Sequence, residues 1–205
     1  MDLKSFLKSV FVTRKMSSVT RRTLNKELKK ELKKLVPGKV LDVGAMDSPY
    51  KKYISHTKYQ TLDIDEKTNP DIIGDLHRIP NNKESFDTVI ATEVLEHLQN
   101  PQQAINEIYR ILKPRGICVL STRFVQLYHP SPKDYYRFSE DSLKHLFKDF
   151  QKIKIIPHGN RFLAIWEMIN TGEIGIILNL FNPLIALFNI KDKKWPLGFI
   201  VIAIK

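Results

Sequence analysis

Three acidic residues follow short apolar runs in the first half of the chain, each just before a turn. Asp42 closes the first run in Val40-Leu41-Asp42-Val43-Gly44-Ala45, and Asp63, 21 residues on, closes Thr61-Leu62-Asp63-Ile64-Asp65. Asp75 follows Ile73-Gly74 and precedes Leu76. An acid beside a glycine turn can face an ammonium or sulfonium group. One at the position and spacing of Asp63 suits both hydroxyls of a ribose. A carboxylate at 75 can accept from an adenine amino group while the adjacent backbone N–H donates to a ring nitrogen. A dinucleotide fingerprint would need glycine at 44, 46 and 49, and the chain has Gly44, Met46 and Pro49. The missing glycines matter because they let the backbone approach a pyrophosphate. NAD and FAD are therefore disfavoured, and a nucleoside cofactor without a pyrophosphate is expected.

A second concentration of reactive side chains lies in Tyr128-His129-Pro130-Ser131-Pro132-Lys133-Asp134-Tyr135-Tyr136-Arg137-Phe138. His129 could act as general base toward a hydroxyl, since imidazole titrates near working pH. Arg137 and Lys133 could hold a carboxylate or phosphate, and Tyr135 stands between them. The alternative is a proline-pinned loop whose aromatic rings pack over the core. His97 is expected to shape the segment after the fourth strand, and His77 the adenine loop.

Positioning such groups requires strand ends brought to one edge. Strands are expected over 39–43, 59–63, 71–74, 86–91, 117–122, 152–157 and 197–204, and helices over 21–35, 101–112 and 139–147. Pro101 stands at a first helical turn, Ser139 at an N-cap, and Pro37-Gly38 after a helix end. Alternating strands and helices predict a mainly parallel α/β sheet with right-handed crossovers. Ligands should then bind beyond the carboxyl ends of the strands.

Taken in order, the stretches 40–50, 74–80, 85–101 and 107–120 resemble the successive motifs of class I S-adenosylmethionine-dependent methyltransferases, the type-11 group in particular. Its phrases are Phe86-Asp87-Thr88-Val89, Thr92-Glu93-Val94-Leu95-Glu96-His97-Leu98 and Ile111-Leu112-Lys113-Pro114-Arg115-Gly116. The resemblance covers residues 39–157. It implies a Rossmann-like fold: a mainly parallel seven-stranded sheet with an antiparallel C-terminal strand. It further implies S-adenosylmethionine as cofactor, with Asp42, Gly44 and Ala45 flanking the methionine moiety. Asp63, with Ile64 beside it, would hold the ribose, Asp75 and Leu76 would meet the adenine, and Glu93 would lie near the sulfonium. Two residues depart from the pattern. Arg115 replaces a common glycine in a turn, and Met46 replaces the motif glycine, where its side chain is expected to narrow the pocket. No metal-ligand pattern is present.

The 205 residues suffice for one domain with extensions, and 42% hydrophobic and 27% charged residues describe an ordinary globular chain. The single cysteine, Cys118, excludes an intramolecular disulfide and points to a reducing, intracellular setting. Of the 33 Lys/Arg, 11 fall within residues 1–36, against 3 of the 22 Asp/Glu, so this stretch carries +8 of the net +11. The chain is divided accordingly into a basic helical arm, 1–37, and a methyltransferase domain, 38–205, with an apolar helical insertion at 161–194. Leu3, Phe6, Leu7, Val10 and Phe11 recur at helical spacing, with Lys4 and Lys8 on the other side. The run 174–190 has no charge but is too short and interrupted to span a bilayer.

These features predict methyl transfer to an oxygen or nitrogen of a small-molecule, glycan or lipid-linked substrate. The expected setting is the cytoplasm, with the inner face of an anionic membrane as a peripheral site. The apolar C-terminal segment offers a subunit contact. Two alternatives are an RNA or DNA methyltransferase that follows phosphates with the basic arm and a catalytically degenerate cofactor-binding scaffold. The first is disfavoured by Ala91-Thr92-Glu93-Val94, which lacks the Asn/Asp-Pro-Pro-aromatic run that holds a base.

Overall fold

The computed structural model describes residues 18–130, 132–170, 178, 181–188, 190, 192 and 194–205. The amphipathic segment expected over 1–15 lies outside them, as do residues 174–177, 179, 180 and 189 of the charge-free run 174–190. Seven strands form one sheet: β1 (Gly38–Val43), β2 (His56–Asp63), β3 (Ile72–Ile73), β4 (Phe86–Thr92), β5 (Leu112–Arg123), β6 (Lys152–His158) and β7 (Gly198–Ile204), in the order β3-β2-β1-β4-β5-β7-β6. The first five run parallel, and β7 is antiparallel to both β5 and β6. This is the expected sheet with its antiparallel last strand. The third strand is shorter than the predicted 71–74, whereas β2 and β5 begin earlier than predicted.

The helices are α1 (Val19–Leu32), α2 (Pro101–Ile111), α3 (Glu140–Leu146), α4 (Arg161–Ile169) and the single turn α5 (Asn182–Ile185). Their starts follow capping chemistry. Ser18, Asn100, Ser139 and Asn160 each accept the backbone N–H of the residue three positions on. Pro101 occupies the first turn of α2, where its missing N–H costs nothing.

Strand alternation divides the apolar residues between two faces. Leu41, Val89, Ala91, Cys118 and Leu120 face α2 and α3, joined by Ile105, Ile108 and Phe147. Val40, Ile90, Val119 and Ile200 face the other way. There the cover comes from ahead of the first strand: Leu24, Leu28 and Leu32 of α1, spaced i, i+4, i+8, are fully buried against them with Tyr50 and Ile54. The reason lies in the β1–β2 crossover. Residues 44–55 contain only a one-turn 3₁₀ helix at Lys51–Tyr53. Gly44, Met46 and Ser48 all take positive φ, and Pro49 follows. No α-helix can start in such a turn, so α1 covers the sheet in its place. The charge-based boundary at 37 falls in the turn between α1 and β1, and the apolar side of this basic helix belongs to the sheet's core.

Candidate functional site

The carboxyl ends of β1, β2, β3, β4 and β5 converge on one edge of the sheet. At the end of β1, Asp42 is buried and accepts the Tyr59 hydroxyl at 2.6 Å on Oδ2. Burial pushes its carboxyl up to about 6, against the opposing pull of that hydrogen bond. The same carboxylate, with burial, raises the Tyr59 phenol. Gly44 follows at φ +62, its N–H bonded to Leu62 O at 2.8 Å. A Cβ there would lie 2.6 Å from Val94 Cγ2. Glycine is thus required twice over, for its dihedral and for the close approach of the segment after β4. Ala45 is buried beside it.

Met46, the departure from the motif glycine, lies in the turn after Ala45. Its backbone takes the left-handed conformation that a glycine would supply, and the residue is 62% exposed. Asp63 ends β2 and accepts the Asp65 N–H at 3.1 Å. Ile64, beside it, is 71% exposed, an apolar ledge at the rim of the acids. Asp75 is exposed, with Oδ1 already bonded to the His77 backbone N–H at 2.8 Å and to His77 Nδ1 at 2.7 Å. Leu76 is buried. His77 Nε2 in turn accepts the Asn100 N–H, which ties this loop to the cap of α2.

Glu93 leaves β4 at φ +57 and bonds the Ser121 hydroxyl at 2.9 Å. Its other oxygen is ion-paired with Arg123 at the end of β5, with both side chains nearly buried. Glu96 is fully buried beside this pair and accepts the Thr122 hydroxyl at 2.9 Å. Desolvation first, and then the Glu93 charge, hold the Glu96 carboxyl well above the usual carboxylate range. Tyr50 also feels the charges of Asp42 and Glu93, and its hydroxyl meets Asn25 at 2.8 Å and Arg21 at 3.4 Å. Helix α1 therefore reaches the same edge.

In the loop after β5 the charged residues bind one another. Asp134 takes Arg137 in a fork, at 2.5 and 2.6 Å, and His129 Nδ1 at 3.1 Å. The Arg137 guanidinium holds the buried Asp134 carboxyl far below the usual range. Arg137 also donates to the carbonyls of Gln126, Leu127 and Tyr136, so it is built into the loop. An ionised Asp134 can only accept, so Nδ1 carries the proton in neutral His129 and Nε2 holds the lone pair. The His97 ring stands 5.0 Å from that of His129, and its Nδ1 bonds Lys133 O. Tyr135 N–H donates to Glu96 O, and its hydroxyl accepts from Gln99. The loop is thereby fastened to the segment after β4. Its aromatic rings do pack, with Tyr136 and Phe138 in contact.

Sequence reasoning missed Tyr59, Glu96 and Arg123. Tyr59 lies diagonally across β1 and β2 from Asp42, a relation fixed by the Val40–Tyr59 register. Arg123 needed the β4–β5 register, which pairs Thr92 with Ser121. Glu96, three residues after Glu93 and followed by His97, stood in a quoted motif without a role.

The strand order, the antiparallel β7 and the acids at successive strand ends define the class I, Rossmann-like methyltransferase architecture. A family model described as "Methyltransferase domain" matches residues 41–120. That match and the fold are those of S-adenosylmethionine-dependent methyltransferases, consistent with the class I type-11 group. A solved SAM-dependent methyltransferase from Thermotoga maritima superposes with a TM-score of 0.63 at 16% identity, covering 98% of each chain. Another, from Archaeoglobus fulgidus, gives 0.62 at 16% identity over 95% of this chain and 99% of that one. Among curated sequences, the ubiquinone biosynthesis O-methyltransferase of Pseudomonas entomophila is 28% identical over 71% of this chain and 69% of its own. The mitochondrial enzyme of the same name from Dictyostelium discoideum is 31% identical over 46% of this chain and 31% of its own. Against that relative and two further ones the chain spans only 31%, 18% and 30% of their lengths.

Proposed function

We propose that the protein transfers a methyl group from S-adenosylmethionine to an oxygen nucleophile of a small-molecule, glycan or lipid-linked acceptor, in the cytoplasm or peripherally at a membrane face. The observation that carries this reading is the row of strand-end acids around Gly44, together with a loop after β5 in which Asp134 bonds His129 Nδ1 and leaves Nε2 free of that bond. The residues fit the cofactor. Gly44 lets the segment after β4 close onto the turn after β1, since a Cβ there would strike Val94. Asp63 offers a carboxylate at the sheet edge for ribose hydroxyls, and exposed Ile64 an apolar face for the base. Asp42, Ala45 and Glu93 would flank the charged methionine end, and Asp75 with Leu76 the adenine. When bound, S-adenosylmethionine supplies an electrophilic methyl on a cationic sulfur.

The chain's own work is then alignment and proton removal. His129 Nε2 takes the proton of an acceptor hydroxyl, Asp134 fixes the ring through Nδ1, and Arg137 keeps Asp134 ionised. Tyr135 closes the loop over Glu96. The choice of oxygen over nitrogen is supported by the relatives, which are named O-methyltransferases.

Calorimetry with S-adenosylmethionine and its demethylated product tests the first half. Asp63→Ala should weaken binding by about 100-fold, the loss of two charge-assisted hydrogen bonds. Undiminished binding would remove Asp63 from the site. With an acceptor in hand, His129→Ala should lower kcat by about 10²-fold or more with cofactor affinity intact. An unchanged kcat would leave alignment alone as the mechanism.

A further inference from the structure

The outward side of α1 carries one sign of charge. Leu24, Leu28 and Leu32 turn fully inward, which leaves Lys26, Lys30 and Lys33 exposed on the opposite side, neighbours at spacings of four and three. The acids of the helix do not balance them. Glu27 is buried, and Glu31, at the flank, is taken by Lys34 at 2.8 Å and by Lys154 of β6 at 3.2 Å. Among the described residues no acid pairs with Lys26, Lys30 or Lys33. Like charges at these spacings oppose helix formation. A face that had only to stay wet would mix its signs.

Both flanks extend the field. On one, Lys51 and Lys52 begin the 3₁₀ helix after β1, and Tyr53 completes it at the margin of the core beneath α1. The ammoniums of Lys29 and Lys52 stand 4.7 and 5.4 Å from the centre of the Tyr53 ring, so the aromatic joins the helix to the turn. On the other flank, Ile156 of β6 faces α1. Lys154 and Lys152, two and four residues before it, therefore lie on the same side of the sheet, and both are exposed. Asp149, exposed in the turn before β6, has Lys148 beside it in sequence.

Ammoniums interleaved with an aromatic ring have the two parts that hold a single nucleic-acid strand: charge along the phosphates and a ring face for a base. An interfacial membrane seat needs apolar side chains that enter the acyl boundary. Here the leucines at 24, 28 and 32 are committed to the sheet, and exposed Val36 lies past the helix end. We infer that the outward face of α1, with Lys51, Lys52 and Tyr53 beside it, binds single-stranded nucleic acid through its phosphodiester backbone. Lys26, Lys30, Lys33 and Lys52 would neutralise about four phosphates. Contact of this kind reads no base, so it needs no base-holding run at the end of β4. The inference stands on this face alone and does not rest on the proposed methyl transfer.

Fluorescence anisotropy of a labelled oligouridine of about 15 nucleotides, titrated with the full chain, tests it. The logarithm of the binding constant should fall by about 3 for each tenfold rise in salt, as expected for about four phosphates on a single strand. The triple variant Lys26→Gln/Lys30→Gln/Lys33→Gln should cut that slope to about 1 and weaken binding at low salt by about 30-fold or more. Tyr53→Leu, which keeps an apolar side chain against the core, should weaken binding about tenfold with the slope unchanged. Far-ultraviolet circular dichroism reports the fold of each variant independently of any cofactor. Absence of saturable binding, or binding kept by the triple variant, would overturn the assignment. Displacement of the strand by phosphatidylglycerol vesicles at equal phosphate concentration would also overturn it and make the face a membrane contact. Binding by Tyr53→Leu equal to that of the parent would overturn the choice of a single strand.

Discussion

The two sides of the crevice use charge in opposite ways. On the nucleoside side, Asp42, Asp63 and Asp75 stand one to a strand, and their partners are a phenol, backbone N–H groups and a neighbouring imidazole. After β4 and β5 the ions consume one another: Arg137 with Asp134 in the proposed acceptor loop, and Arg123 with Glu93 beside the proposed methionine end. A site for a ligand bearing hydroxyls, an amino group and a positive centre needs carboxylates held ready. A site that must hold one imidazole at one angle needs its charges spent on rigidity. Arg137, expected to hold a carboxylate or phosphate, is bonded to Asp134 and to the loop's own carbonyls.

That contrast is broken most forcefully at Arg123. Arg123→Met should leave Glu93 as a nearly buried charge without its counterion, a loss of about 3–5 kcal/mol in unfolding free energy, measured by urea denaturation. A mild loss, under about 1 kcal/mol, would mean that Glu93 is solvated as exposed Asp75 is and that the contrast does not hold there.

What the sequence disclosed follows the same division. The acids at 42, 63 and 75 were legible because each depends only on its own strand and turn, and strand ends are local features. The mainly parallel sheet rested on the same local periodicity, whereas its antiparallel last strand came with the family resemblance. Arg123 and Tyr59 were not legible, because their partners lie across a ladder whose register no local pattern states. Helix α1 illustrates a different failure. Leu24, Leu28 and Leu32 display an apolar stripe in the sequence, yet the +8 charge of residues 1–36 drew the reading toward a basic arm set apart from the domain. Nothing local announced that the β1–β2 crossover would lack a helix and leave that face of the sheet for α1 to cover.

Gly44 tests the nucleoside side from the backbone. Gly44→Ala adds strain at φ +62 and a 2.6 Å encounter with Val94 Cγ2. We expect about 1–3 kcal/mol of destabilisation, visible as a lowered thermal midpoint, and weaker cofactor binding in the protein that remains folded. Gly44→Ala with Val94→Ala should recover part of the stability, because the contact is removed while the dihedral strain stays. Full recovery would show that the positive φ carries no cost here.

The finest test is of Asp42, where one group pulls stability and affinity in opposite directions. Its folded value of about 6 lies above the ordinary 3.8. The folded protein therefore holds this proton more tightly than the unfolded chain does. Its contribution to stability is complete below about pH 3.8 and is lost as pH rises through 6, on the order of 3 kcal/mol in all at 1.36 kcal/mol per unit. A cationic ligand needs the ionised form, so affinity must climb over the same interval, by about tenfold from pH 5 to pH 7. Asp42→Asn should flatten both curves. Tyr59→Phe should move the affinity midpoint to higher pH, because the hydroxyl that favours the carboxylate is gone. Calorimetric titrations at several pH values would show it. An affinity independent of pH in the parent protein would place Asp42 outside the cofactor's reach, leaving Asp63 and Asp75 to carry the nucleoside side.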